Sequence, residues 1–263
     1  MQVSKFKLGL LGVLAMSTIA PIAQAEESAW GPITGGVTLT SDYRFRGASQ
    51  SDRDAAAQGW LQYDHASGFF ANVWASTIDF DDETTADSNL EVDLTAGYNF
   101  KIGPATDASV KAVYYWYADA DIPSGDPEYD YWEFIAGVSH DFGSFSATGE
   151  LAYSPDFFEE SGDAWALTGG AAVPVMDSFL FFTGGLEASA HVGHQWLDEG
   201  TDYLYYDFGA SASWESITVD LRWVDTDLDS GECSDELCEG GVPASAPTLP
   251  AFRSFPYDSL PIC

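Results

Sequence analysis

Residues 89–100 read NLEVDLTAGYNF. Leu90, Val92, Leu94, Ala96, Tyr98 and Phe100 take alternate positions, and Glu91, Asp93, Thr95 and Asn99 fall between them. An extended chain points successive side chains to opposite faces, so this segment is a strand with one apolar and one charged face.

The same two-residue period recurs on both sides of this stretch. Val37, Leu39, Tyr43 and Phe45 oppose Thr38, Thr40, Asp42, Arg44 and Arg46. Trp132, Phe134, Ala136 and Val138 oppose Glu133, and Phe145, Ala147, Leu151 and Tyr153 oppose Glu150. Leu186, Ala188, Ala190 and Val192 oppose Glu187 and His191. Leu204, Tyr206, Phe208 and Ala210 oppose Asp207, and Ile217, Val219, Leu221 and Trp223 oppose Asp220 and Arg222. Weaker strands fit 57–66, 68–79, 108–118 and 163–173.

Eleven segments result, mostly ten to twelve residues long. A tilted membrane-crossing strand needs roughly 9–11 residues, whereas strands of soluble proteins average about 5–6. The charged faces carry the same message. A soluble barrel would bury them among apolar side chains at high cost, whereas a barrel in lipid turns its apolar face outward and its polar face to the lumen. The expected lumen residues are Asp42, Arg44, Arg46, Glu91, Asp93, Lys111, Glu133, Glu150, Glu187, Asp207, Asp220 and Arg222. Acids outnumber bases two to one among them. That implies either a polar constriction favouring cations or an internal salt-bridge network filling a narrow barrel.

Connector lengths agree with this topology. Tight connections at 65–68, 141–144 and 214–216 mostly alternate with long polar ones at 47–57, 79–89, 118–130, 154–163 and 225–241. Short periplasmic turns and long outer loops are the pattern of outer-membrane barrels. The segment 173–185 breaks the rule. The outer loops, with 197–202, hold 26 of the 42 Asp and Glu residues. A solvated, aggregation-resistant surface explains this more simply than a divalent-cation shell bridging to lipopolysaccharide.

The formal net charge of the 263 residues is -33, which excludes nucleic acid as a partner. Phe, Trp and Tyr make up 15%, too many for a disordered acidic chain. Residues 1–25 read as a secretory signal peptide: Lys5 and Lys7, an apolar run from Leu8, and Ala23-Gln24-Ala25 before the cleavage point. Residues 26–241 are then the barrel. Residues 242–263 contain Pro243, Pro247, Pro250, Pro256 and Pro261 where an even-numbered barrel needs its twelfth strand. They read as an anomalous tail, disordered or frame-shifted.

Three smaller patterns stand apart from the strands. Cys233 and Cys238 lie close together in the last outer loop, where an oxidising compartment favours a disulfide. Asp225, Asp227, Asp229 and Glu236 imitate the acid spacing of a calcium loop, although Gly231 comes one residue late and a strand precedes the loop. A solvated acidic loop is the default reading there, with Ca2+ the alternative. His191 and His194 fall on opposite faces of a strand and cannot share a metal. No nucleophile elbow, zinc-cysteine cluster or phosphate loop is present, so no enzyme and no resident cofactor is expected.

Ser41-Asp42-Tyr43-Arg44-Phe45-Arg46-Gly47-Ala48-Ser49-Gln50-Ser51-Asp52 resembles the opening signature of the TorF family of porin-like proteins. Gly68-Phe69-Phe70-Ala71-Asn72-Val73-Trp74-Ala75-Ser76, followed by Asp79-Phe80, resembles a second family motif. The resemblance extends in pattern from Thr34 to Cys238 and implies a twelve-strand barrel of Gram-negative outer membranes. It supplies no catalytic residues.

The expectation is therefore an all-β, antiparallel, up-and-down transmembrane barrel of about twelve strands, monomeric in the outer membrane. Its neighbours would be membrane lipid and lipopolysaccharide. Its role would be passive diffusion of small hydrophilic solutes with a mild cation preference. The alternatives are a closed-lumen structural or surface-interaction barrel, and a secreted soluble β-sandwich.

Overall fold

The computed structural model describes residues 33–80, 88–118, 120, 128–180 and 183–228, and the backbone of residues 251–254. The chain forms β1 (Ile33–Thr40), β2 (Arg44–Phe45), β3 (Ala48–Ser49), β4 (Ala56–Asp64), β5 (Phe69–Thr77), β6 (Leu90–Gly103) and β7 (Thr106–Tyr117). It continues with β8 (Tyr131–Asp141), β9 (Ser146–Ser154), β10 (Ala164–Met176), β11 (Leu186–Leu197), β12 (Tyr203–Trp214), β13 (Ile217–Thr226) and β14 (Ala251–Ser254). Twelve of these close a barrel: β1, then β4 to β14 in order, each antiparallel to its neighbours, with β14 pairing back onto β1. β2 and β3 form a separate two-stranded hairpin.

The alternation read in the sequence is the alternation of the wall. Val37, Leu39, Leu61, Val73, Leu94, Val110, Phe134, Leu167, Phe208 and Leu221 are all exposed on the outer surface. Aromatic pairs flank them: Tyr114 with Trp132 at 4.8 Å between ring centroids, and Tyr153 with Trp165 at 4.4 Å. A belt of this composition has no place in water and a natural one in hydrocarbon.

The turns at one end are tight for stated reasons. Gly68 adopts φ +102°, and a Cβ there would lie 2.2 Å from the Asn99 carbonyl, so only glycine fits between β4 and β5. Phe142 and Phe145 close the β8–β9 turn through Gly143. The irregular segment 173–185 resolves in part. β10 runs through Pro174 with a register shift before Met176, a bulge that accommodates a residue lacking an amide donor.

Two sequence expectations need correction. The tail does supply a strand: residues 251–254 pair with Thr38 and Leu39 on one side and with Ile217–Asp220 on the other. This four-residue stretch lies between Pro250 and Pro256, so each of its amides remains able to pair. The remainder of 242–263 and the 1–25 leader lie outside the described residues. The first strand, in turn, ends at Thr40 instead of running through Arg46. Tyr43, placed by the alternation on the lipid face, is 1% exposed inside the barrel. Positive φ angles at Arg46, Gly47, Asp52 and Arg53 turn residues 41–55 out of the wall, which an uninterrupted strand could not do.

Candidate functional site in the barrel lumen

The β2–β3 hairpin folds into the outer half of the lumen. Its own structure is held by polar contacts. Arg44 donates to Asp42 at 2.6 Å and to the Gly47 carbonyl at 3.0 Å, and Ser49 donates to the other Asp42 oxygen at 2.6 Å. Gln50 donates to the Tyr43 carbonyl at 2.7 Å, and Tyr43 donates its amide to the Ser51 hydroxyl at 2.9 Å. At Gly47, with φ +88°, a Cβ would lie 2.3 Å from Thr226 Cγ2, so the turn presses against β13.

Arg46 fastens the hairpin to the wall. Its guanidinium donates to both Glu133 oxygens, at 2.8 and 2.9 Å, and to Gln195 at 3.0 Å. Tyr115 donates to Glu133 at 3.0 Å. Arg46 also sits 4.6 Å over the Phe45 ring, and Phe45 meets Tyr115 edge-on. Tyr43 donates to Glu91 at 3.3 Å and packs on Trp74. Between these polar contacts lies an apolar cluster, unexpected for a water-filled barrel: Ile78, Val113, Tyr115, Tyr117, Tyr129, Tyr131, Ile135 and Phe157. The short helical turn at Phe158–Glu160 brings Phe158 over Tyr129 at 4.7 Å, and Phe157 onto Tyr131 at 4.7 Å. Among the described residues, these aromatics cover part of the outer mouth.

The inner half holds a second charge network. Arg222 pairs with Asp207 and, at 3.2 Å, with Asp220, and donates to Ser189 at 2.7 Å. His191 Nδ1 lies 2.9 Å from Asp207. Lys111 pairs with Glu150 at 3.2 Å.

Every residue expected to face the lumen lies inside the barrel, on the wall or on the hairpin. Of the two interiors expected, the placed side chains form the internal salt-bridge network. Asp42, Arg44, Arg46, Glu91, Asp93, Lys111, Glu133, Asp207, Asp220 and Arg222 are all buried. The hairpin, the aromatic cluster and mutual pairing enclose these side chains. Glu150 and Glu187 are half-buried. Each of the four bases is paired with a carboxylate. Among the described residues, Glu91, Asp93 and Glu187 form no ion pair. Sequence reasoning passed over Tyr43, Tyr115, Thr168, Gln195 and Tyr205 as lumen groups. Extending the alternation from Lys111 and His191 would have placed Tyr115 and Gln195 inside.

The other expected sites separate. His191 faces inward and His194 outward beside Trp196, at 4.5 Å between rings. Asp225 accepts from Tyr206 at 3.2 Å, and Asp227 accepts from the Leu204 amide at 2.7 Å, so both carboxylates are engaged at the strand end. Asp229, Cys233, Glu236 and Cys238 lie outside the described residues. Among the described residues, no group of three or more His, Cys, Asp and Glu side chains is placed to hold a metal.

A closed antiparallel barrel with a lipid-facing apolar belt and charged residues inside is the fold of the outer-membrane porins. The NanC porin structure overlays with a TM-score of 0.51 at 10% identity, covering 85% of this chain and 98% of that one. A KdgM porin gives 0.49 at 9% identity, covering 87% and 99%, and LpxR from Salmonella typhimurium gives 0.47 at 8%, covering 84% and 99%. No curated protein sequence matches. The chain belongs to the family described as "Bacterial protein of unknown function (Gcw_chp)", whose model matches residues 24–239.

Proposed function

We propose that this protein is a porin-like outer-membrane channel for small hydrophilic solutes, with a mild cation preference and with its outer half closed in the conformation described. This reading is in keeping with the TorF resemblance. Residues 1–25 would direct export and be removed in the course of it. The observation that carries it is the imbalance of the lumen. Among the described side chains, each of the four lumen bases is paired with an acid, while Glu91 and Asp93 form no ion pair. Fixed negative charge within low-dielectric walls concentrates cations and repels anions. No cofactor is needed, because solutes would move down their gradient. The barrel is expected to act as a monomer, with lipid and lipopolysaccharide around it. The acidic strand end at Asp225 and Asp227 would serve as solvated surface, with Ca2+ the lesser alternative.

The aromatic cap over Tyr129 and Tyr131 favours a second reading, a closed-lumen surface protein. Reconstitution of the purified full-length chain in planar bilayers under a KCl gradient separates the two. The channel reading expects discrete current steps with a cation-sign reversal potential, moved toward zero by Glu187→Gln. A silent bilayer with correctly folded protein supports the closed barrel. Current with anion sign would reject the selectivity.

A further inference from the structure

Arg46 sits in a pocket that the barrel wall builds without help from the hairpin. Glu133 on β8 and Gln195 on β11 are each 1% exposed. Tyr115 on β7 donates to Glu133 at 3.0 Å and stacks on Tyr131 at 4.4 Å, so the carboxylate is aimed by its own neighbours. Tyr205 on β12, engaged with Thr168 at 2.6 Å, lies within electrostatic reach of the guanidinium. The guanidinium takes both Glu133 oxygens and Gln195 Oε1. Gln195 Nε2 is buried with no acceptor. A buried amide donor left unmade is costly, so Arg46 fits the pocket without completing it.

The hairpin reaches this pocket at a cost of its own. Arg46 holds φ +46°, a left-handed conformation that residues with a side chain seldom adopt. The fold of the hairpin does not require the contact, because Asp42, Arg44, Ser49 and the Gly47 carbonyl are bonded among themselves. Simple departure is opposed, since it would leave Glu133 buried and uncompensated. Departure by exchange is not. A second cation of the same shape would satisfy Glu133 and release the strained turn. A planar guanidinium matches both carboxylate oxygens together, whereas an ammonium offers a point charge and no fork.

We propose that Glu133, Gln195 and Tyr115 form a recognition site for guanidinium-bearing solutes, which Arg46 fills from within the chain and yields to such a solute by exchange. The site goes beyond the channel reading and stands whether or not the barrel conducts.

The test uses ethylguanidinium chloride as the probe and the full-length chain in detergent, with no current measurement. Chymotrypsin cuts after Tyr43, which is 1% exposed while the hairpin is seated. Arg46→Ala sets the cleavage rate of the released hairpin, read by fragment mass. In the wild type, ethylguanidinium should raise cleavage toward that rate and saturate. Ethylammonium at the same ionic strength should raise it much less. Calorimetric titration should show tighter ethylguanidinium binding to Arg46→Ala than to the wild type, whose own guanidinium must first leave. Glu133→Gln should abolish saturable binding. Heat-modifiable migration checks the folding of each variant, and Gln195→Leu, expected to weaken binding, replaces Glu133→Gln if the latter fails to fold. The comparison of the two probes on the wild type needs no variant. Wild-type cleavage that ethylguanidinium accelerates no more than ethylammonium does would overturn the site. So would ethylguanidinium binding of equal strength with and without the Glu133 carboxylate.

Discussion

Arg46 and Glu133 meet in a two-pronged ion pair, at 2.8 and 2.9 Å, across the outer half of the barrel. They are 87 residues apart in sequence, one on a hairpin that has left the wall and one on the wall itself. Both are almost wholly buried. The guanidinium fork matches the carboxylate edge to edge, which fixes direction as well as distance. This pair therefore does more than lower the energy of a charge: it sets where the hairpin sits.

Removing one partner should be much worse than removing both. Arg46→Ala strands a buried Glu133 and is expected to cost about 3–5 kcal/mol, whereas Arg46→Met with Glu133→Leu should recover most of that loss. Urea unfolding in detergent or thin bilayers gives the comparison. If the channel reading is right, Arg46→Ala also raises single-channel current, because the hairpin loses its anchor. Equal stability of the single and double variants would remove the anchoring role.

How much of this was legible in the sequence follows from which interactions are local. The alternation at 90–100 is a property of neighbouring residues, so strand, faces and lumen assignments could be read directly. The hairpin was not legible. Residues 41–46 continue the apolar-polar alternation of β1, yet the chain leaves the wall after Thr40 and turns at positive φ at Arg46 and Gly47. What rewards that turn is Glu133, Gln195 and Glu91, brought near by barrel closure. The filled lumen was hidden for the same reason. Tyr115, Tyr129, Tyr131 and Phe157 look like belt aromatics in a list, and only the register turns them inward. Proline likewise obscured the closing strand, since the five residues between Pro250 and Pro256 leave little periodicity to read.

Gly47 should tolerate no side chain. Its φ of +88° disfavours any L residue, and a Cβ would meet Thr226 Cγ2 at 2.3 Å. Gly47→Ala is expected to destabilise the hairpin by roughly 1–3 kcal/mol while leaving the barrel folded. Faster limited proteolysis within 41–55, with unchanged heat-modifiable migration, is the expected result. Unchanged proteolysis would mean that the turn has room to adjust.

In the inner network, Arg222 holds Asp207 and Asp220 together and reaches Ser189. A lysine there keeps the charge but loses the planar fork, so Arg222→Lys should restore only part of the stability lost in Arg222→Ala. The alanine variant leaves Asp207 with His191 alone and is expected to lose about 3–5 kcal/mol. Thermal or urea midpoints of the three proteins give the ranking. A lysine variant as stable as the wild type would reduce the network to simple charge balance.

The outward direction of the apolar face admits the sharpest test, because it reverses sign between the two environments considered. Leu94 is 42% exposed on β6, opposite Val73 at the centre of β5, and its neighbour Thr95 points inward. If lipid covers that surface, Leu94→Lys places a charge in hydrocarbon and should cost about 2–4 kcal/mol, measured by reversible unfolding into phospholipid vesicles. If water covered it, the same substitution on an exposed strand position would cost within about 0.5 kcal/mol and improve solubility. Thr95→Lys provides the comparison, since Thr95 stands between Asn72 and Val113 on an acid-rich inner face and lysine there meets no lipid. A large loss at Leu94 with a small one at Thr95 is the signature of a membrane barrel. The opposite order would place the Leu, Val and Phe belt in contact with solvent or with another protein.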